Sequence, residues 1–584
     1  MIYEKFIRVL YINLETKKIR IEKRPDLHEY IGGVGIASKL LEENMKPKLD
    51  ALSPEQPIVF AIGAGTYIFP VLTKTVAMFK SPLTGELGET YAGGRMALCM
   101  FLLGYDAIVI TGACKGRSYL SISANDIQFR CADALWGLDN GEVGRYIRDK
   151  EHGGGKSAGK RSTLRIGPAG ENQVAFASVS VDTYRHFGRM GLGAMMGSKN
   201  LKAICVSGGD QNIPIKDFKE YFRIYNKLFK ASTQTDMMAK YHDAGTPINI
   251  EPLNKMGGLP TRNLQATRME SVENISGDAF AKRNLVRKLA CVGCPVGCIH
   301  IGMYRKEFDK GHEYEAISVG YDYELIFALG TFLGIDKSDD ILEIINEVEE
   351  TGMDAMSTGV CLGWATEAYQ TGLVGKEQTL TKLEFGYTKG YVDAVRYMAK
   401  AKNEFYRDLG KGSRFASAKY GGQDFAMQIA GNEMPGYHTG YGSLVGVAVG
   451  ARHSHLCNGG YSIDQSMKEF DAKKFVEKLY QEETERCITN SLVMCLFARK
   501  VYDKESMAEV LNYLGFASDE ETLKQTAIKI YNTKLRIKEA YGFRQEAVKL
   551  PKRFFETSCL NGKLDEKVAM GLIKDYQALV NKNR

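Results

Sequence analysis

The chain has 584 residues, 44% of them hydrophobic and 25% charged, with a formal charge of +7. This exceeds one ordinary core, since domains usually run about 100–200 residues, so two or three packed units able to bury a cofactor are expected. The mild charge is dispersed among acids and gives no footing for nucleic-acid binding, and no apolar run reaches the roughly 20 residues that span a bilayer.

The opening "MIYEKFIRVLYINLETKKIRIEKR" alternates apolar and polar residues and holds Glu4, Lys5 and Arg8. That pattern predicts a strand pair rather than a signal peptide, and a cytoplasmic location is the expectation. Short β-rich runs punctuated by turn residues follow, among them "PIVFAIGAGT", "YDAIVITGA", "SYLSISANDIQFR", "STLRIGPAGEN" and "KAICVSGGD". From Asp217 the pattern becomes helical, as in "DFKEYFRIYNKLFK", "DDILEIINEVEETGM", "EFDAKKFVEKLYQEETERCI" and "DEETLKQTAIKIYNTKLRIKEAYG". The fold class is therefore α+β, a β-rich N-terminal base domain (1–210) followed by two mainly helical domains (211–425 and 426–584). Gly208, Gly209 and Pro214 mark the first seam, and "YGGQDF" marks the second.

Twelve cysteines in such a chain read as reduced thiols, some of them metal ligands, rather than as a disulfide framework. Cys291, Cys294 and Cys298 fall within "CVGCPVGCIH", where Pro295 and Gly297 force a tight loop that can turn three thiolates to one centre. An iron–sulfur cluster fits best and needs a fourth cysteine from elsewhere. Structural zinc using His300 and three buried thiols without metal are the competing readings. Cys99, Cys114, Cys131, Cys205 and Cys361 lie in apolar stretches typical of buried thiols. Cys495, in "TNSLVMCLFARK", is one candidate ligand among several.

The ordered motifs "KSPLTG", "GYDAIVITG", "IGPAGEN", "GRMGLGAMMGSKNLKAI", "CVGCPVGC", "EYEAISVG", "TGMDAMSTG" and "LPKRF" resemble the tungsten-containing aldehyde:ferredoxin oxidoreductase family over nearly the whole chain. The resemblance implies a tungsten or molybdenum bis-pyranopterin beside a [4Fe-4S] cluster, in a three-domain fold whose N-terminal sheets form the pterin base. It nominates Cys495 as the fourth cluster ligand, since "NSLVMC" aligns with the family's D-x-x-G-L-C motif, with Asn490 in place of the acid, Val493 in place of the glycine, and Met494 before the cysteine. The related D-x-x-G-L-D motif aligns with "EETGMD", giving Glu349, Met353 and Asp354 as pterin contacts. Lys74 stands where the family has a phosphate-binding arginine. Tyr91, Ala92, Gly93 and Gly94, with Arg185, His186, Gly188, Arg189, Gly191 and Gly193, form the implied phosphate cradle. A Mg2+ between the pterin phosphates would take backbone carbonyls of Tyr91 and His186.

For the reaction, the resemblance implies an acid/base carboxylate at Glu315 and, after Arg452, a histidine at either His453 or His455. The expected chemistry is oxidation of an aldehyde to a carboxylic acid, with electrons passed to ferredoxin or an iron–sulfur partner subunit. A homodimer is compatible, but "EIIN" replaces the family's E-x-x-H bridging motif, so no bridging metal is expected. Two other readings stay open: a reductive relative acting on an aromatic acyl-CoA ring or a carboxylate within a complex, and a non-catalytic iron–sulfur electron-transfer subunit.

Overall fold

The computed structural model describes residues 3–151, 158–210, 213, 215–309, 311–467, 469–560 and 562–584. Strands β1 (Ile7–Asn13) and β2 (Ile19–Arg24) form the antiparallel pair expected from the opening alternation, with Ile12 opposite Ile19. Helix α1 (Gly33–Asn44) follows, then β3 (Ile58–Ile62), β4 (Thr75–Lys80), β5 (Leu87–Ala92) and β6 (Ala107–Thr111). These strands make a six-stranded sheet in the order β2-β1-β6-β3-β4-β5. The unbroken apolar run of β3, "IVFAI", is buried throughout because the strand sits inside the sheet with both faces covered.

A second six-stranded sheet has the order β11-β10-β9-β12-β7-β8. It comprises β7 (Ser118–Ile122), β8 (Ile127–Cys131), β9 (Arg161–Arg165), β10 (Val179–Val181), β11 (Arg185–Phe187) and β12 (Leu201–Ser207). The two sheets share one hydrophobic cluster, in which Phe60 and Phe187 lie 5.7 Å apart. This packing sets the end of β5 beside β11, and both strands lead into predicted cradle loops. Cys131 is exposed, contrary to expectation, because β8 is an edge strand.

The remainder is mostly helical. Helix α2 (Phe218–Thr233) is capped by Asp217, whose side chain accepts from Glu220 N–H. Strands β13 (Leu285–Leu289), β14 (Ile299–Asp309) and β15 (Glu313–Tyr321) form a three-stranded antiparallel sheet absent from the sequence reading. Then come α3 (Tyr323–Leu329), α4 (Ser338–Thr351), α5 (Ala355–Gln370), α6 (Ala472–Ser491) and α7 (Glu520–Ala540). The four windows with helical periodicity correspond to α2, α4, α6 and α7. Pro214, one mark of the first seam, lies outside the described residues. At the second seam, Ala426 and Met427 lie in the buried cluster that runs from Ile7 in the first sheet to Val580 near the C-terminus. Among the described residues, no helix is long and apolar enough to cross a membrane.

Candidate redox centre

The thiol loop is the connection from β13 to β14. Cys294 N–H donates to the Cys291 carbonyl at 3.0 Å, and Gly293 and Gly297 take positive φ (+76° and +64°), which glycine adopts without penalty. Residues 71–74 tie this loop to the segment after α6: Val71 N–H donates to Gly293 O (3.1 Å), Cys495 N–H to Val71 O (3.4 Å), and Lys74 N–H to Val493 O (3.3 Å). The backbone thus brings Cys495, nearly two hundred residues downstream, to the "CVGC" loop. Burial, with Cys495, Cys291 and Cys298 nearby, pushes the Cys294 thiol up to about 12. Burial and Cys495 push Cys298 up to about 11, against the opposing influence of Arg185 and Lys74. Cys294 and Cys298, whose burial resists ionisation, would need a cationic centre to stand as thiolates beside Cys291 and Cys495, and an iron–sulfur cluster fits that donor set. Among the described residues, no group of three or more His, Cys, Asp or Glu side chains is closed enough to hold a metal ion as it stands, the four cysteines included. His300 is directed elsewhere, with Nδ1 3.2 Å from Cys298 O and Nε2 3.1 Å from His242 O.

The cradle residues meet the thiols directly. A Cβ placed on Gly93 would lie 2.5 Å from Cys291 Sγ and 3.2 Å from Arg185 Cδ, so only glycine fits. Gly94, at φ +96°, lets Arg95 N–H reach Asp182 Oδ2 at 2.8 Å. Arg185, His186, Gly188, Arg189, Glu349, Met353 and Asp354 line one cavity of about 220 Å3, together with Asp322 and Glu324. Arg189 is anchored by Asp354 (3.1 Å) and the Glu433 carbonyl (2.8 Å), while its buried Nη1 has no partner. Arg185 Nε is likewise buried and unpartnered. Pre-oriented free donors beside Gly188, whose missing Cβ would meet nothing within 4 Å, suit a phosphate-bearing ligand. Asp354 also caps α5, accepting from Met356 and Ser357 N–H.

Other predicted cradle residues have structural surroundings. A Cβ on Gly191 would sit 2.0 Å from Ala175 O, and one on Gly193 would sit 2.4 Å from Ser178 O, so both serve close chain packing. Ala92 ends β5. Tyr91 donates to Glu89 at 2.6 Å beneath the Arg452 guanidinium, 5.0 Å from its ring centre. Burial, then repulsion from Glu350, lifts Glu349 to about 8, so its carboxyl is largely protonated at neutral pH. Burial, with Arg185 and Arg165 close by, drops His186 to about 3 and keeps it neutral. Asn490 and Met494 are buried at the end of α6 and just beyond it.

The structure separates the three expected acid/base groups. Glu315 is on the exposed part of β15, opposite Lys306, at the rim of an arginine-rich basin shared with Arg145 and Arg148. It does not join the histidines, because this end of β15 is exposed on both faces, Glu313, Tyr314, Glu315 and Ala316 alike. His453 has both ring nitrogens engaged, Nδ1 3.2 Å from Val447 O and Nε2 3.1 Å from Glu86 Oε2. His455 Nε2 lies 3.1 Å from Glu324 Oε1, and its Nδ1 is buried without a partner. Burial opposes ionisation of Glu324, but His455 outweighs it and holds the carboxyl below the usual range. Tyr437, stacked on Tyr461 at 4.2 Å, hydrogen-bonds the same carboxylate. Sequence reasoning passed over Glu324 because "DYELIF" reads as an ordinary helix start, with Asp322 as cap and an acid in the first turn.

A sheet base, a helical cover, a buried acid–imidazole pair, and a thiol loop that shares the space beside Gly93 with the cavity-lining Arg185 are the features of a redox-enzyme architecture. The chain belongs to the aldehyde ferredoxin oxidoreductase family: "Aldehyde ferredoxin oxidoreductase, N-terminal domain" matches residues 9–208, and "Aldehyde ferredoxin oxidoreductase, domains 2 & 3" matches residues 223–582. It is 31% identical to the tungsten-containing aldehyde ferredoxin oxidoreductase of Pyrococcus furiosus over 582 residues, covering 95% of this chain and 92% of that one. It is 29% identical to the same organism's aliphatic sulfonate oxidoreductase, WOR-like subunit, covering 76% of this chain and 70% of that one. Among solved structures it resembles the active site complex BamBC of benzoyl coenzyme A reductase in complex with 1,5-dienoyl-CoA (TM-score 0.83, 18% identity, 99% of this chain and 95% of that one), a likeness of fold.

Proposed function

We propose that the chain is a tungsten- or molybdenum-bis-pyranopterin oxidoreductase that oxidises aldehydes to carboxylic acids and passes electrons through a [4Fe-4S] cluster to a ferredoxin or iron–sulfur partner. The observation that carries this reading is the meeting of Cys291 with Gly93 and Arg185, which puts the thiol set against a cavity of unpartnered arginine donors. Cys291, Cys294, Cys298 and Cys495 would hold the cluster. Arg185, Arg189 and Lys74 would take the pterin phosphates, with Tyr91 and His186 carbonyls toward Mg2+, and Glu349, Asp354 and Asn490 would meet the pterin rings. When bound, the metallopterin supplies a two-electron acceptor that the cluster can drain singly.

The overall change is R–CHO + H2O → R–COOH + 2 H+ + 2 e−. The protein's share is the protons. Glu324 is ionised and fixed by His455 and Gly436 N–H (3.4 Å), so its oxygen can accept a proton from water adding to the carbonyl. With Nε2 committed to Glu324, the unpaired Nδ1 of His455 remains to exchange a proton with the substrate oxygen. Burial of both groups excludes bulk water and strengthens their mutual pairing.

Anaerobically purified protein should contain tungsten or molybdenum with pterin and about four irons per chain, and should reduce a viologen dye with aldehydes. Iron or zinc without pterin would refute the assignment. Acyl-CoA-dependent oxidation of reduced viologen, without aldehyde activity, would favour the reductive alternative.

A further inference from the structure

Helix α2 packs its inner face into the cluster that holds two of the thiols. Its inner residues Ile224 and Leu228 belong to the hydrophobic cluster against which Cys294 and Cys495 pack. Its outer face is unusual for a helix facing water. Phe218 is 67% exposed, Phe222 53% and Phe229 39%, and with Tyr225 they form one stripe at helical spacing. The rings are ordered against one another: Phe218 stacks on Phe222 at 6.0 Å, and Tyr225 stacks on Phe229 at 6.1 Å. Isolated exposed aromatics are common, but a contiguous, pre-stacked stripe marks an interaction surface.

Charge indicates what covers it. Residues 279–306, which contain the "CVGCPVGC" loop, include six Lys or Arg and no acid. Exposed Arg287 stands four residues before Cys291, and exposed Arg499 and Lys500 follow Cys495. Gly293, at the tip of the loop, is also exposed. Both thiol-bearing segments thus carry exposed cations where they reach the surface, and both pack in the hydrophobic cluster to which α2 contributes its inner face. Of the other cysteines only Cys131 is exposed; the rest are buried.

We propose that the outer stripe of α2, with Arg287, Arg499 and Lys500, is the docking face for an acidic iron–sulfur electron carrier, whose cluster is brought against the Cys291–Gly293 tip. This rests on the cluster reading above. The aromatic stripe supplies the buried anchor, and the cations steer the encounter.

The test uses holoenzyme, a clostridial-type two-cluster ferredoxin as the probe, and two variants, F218S/F222S/F229S and R499E/K500E. With a small viologen as acceptor, both variants should match the parent. With the ferredoxin, KM should rise about tenfold or more in the aromatic variant. In the charge variant it should rise similarly, and the dependence of the rate on salt should flatten. An unchanged ferredoxin KM in either variant would overturn the docking face. So would a parent homodimer that the aromatic variant dissolves, because the stripe would then belong to a second copy. A parent lacking about four irons per chain would instead overturn the cluster reading.

Discussion

Gly93→Ala isolates the contact on which the proposed function stands. The added Cβ would be 2.5 Å from Cys291 Sγ, against the roughly 3.5–4.0 Å of ordinary non-bonded contact. The thiol must therefore move by about 1 Å, whereas ligand positions at a metal site tolerate about 0.2 Å. Arg185 cannot absorb the strain, since its Cδ is already 3.2 Å from the same point. Overpacking of this kind costs about 1–3 kcal/mol, less than the roughly 5–15 kcal/mol of a whole fold, so the protein should still fold, though less stably, while the cluster is lost. Gly188→Ala is the matched control, because its Cβ meets nothing in the protein. It should keep its iron, and if the open space is where the pterin lies, its pterin content should fall. The assay is iron, acid-labile sulfide and pterin per chain after anaerobic purification, with the reduced-cluster EPR signal. A Gly93→Ala protein with full iron and an unaltered signal would refute the placement of Cys291 as a ligand.

Glu324→Gln should lower aldehyde-dependent dye reduction by about 10²–10⁴-fold with iron retained, whereas Glu315→Gln should leave the rate near that of the parent; equal loss in both would restore Glu315 to the site. Val493 is buried at φ +47°, a strained conformation for a β-branched residue, and glycine would relieve about 1–2 kcal/mol there. Val493→Gly should therefore be at least as stable as Val493→Ala in urea, despite removing more apolar surface. Lys199 is buried against the Pro54 and Gly112 carbonyls, and burial depresses it to about 7. Between pH 7 and about 10.5 the unfolded chain binds the extra proton, so stability should rise with pH, by up to about 1.4 kcal/mol per unit, and Lys199→Met should flatten that slope in urea titrations.

Much of this was legible because it is written in local periodicity. The alternation at the N-terminus and the 3.6-residue repeats of α2, α4, α6 and α7 need no tertiary knowledge, and the "CVGC" spacing announces a thiol loop. The sheet β13–β15 was not legible: β14 ends in "YRKEFD" and β15 begins with "EYEA", too polar and too exposed to carry a core-facing alternation. Cys495 required either the resemblance or the fold, because nothing near it in sequence distinguishes it from Cys487. Glu324 was hidden by a generic helix start. Its role becomes visible only when Gly436, Tyr437 and His455, more than a hundred residues later, close around it.

The same three-dimensional closure gives His453 and His455, two residues apart, different surroundings. The loop 450–458 is held from three elements by buried charge. From the β4–β5 hairpin, Glu89 O accepts from Arg452 at 2.7 Å, and Glu86 lies 3.1 Å from His453. From α7, Lys534 pairs with Glu89 at 2.7 Å, and Lys538 donates to Gly450 O at 3.2 Å. From α6, Glu483 accepts from Ala451 N–H at 2.7 Å. Such pairs add little net stability, because desolvation offsets attraction, yet removing one partner strands a buried charge at about 3–5 kcal/mol. Their effect is therefore geometric. They fix the loop by its backbone and by His453, and leave His455 with one nitrogen on Glu324 and the other free, which is the arrangement a proton-transferring imidazole requires.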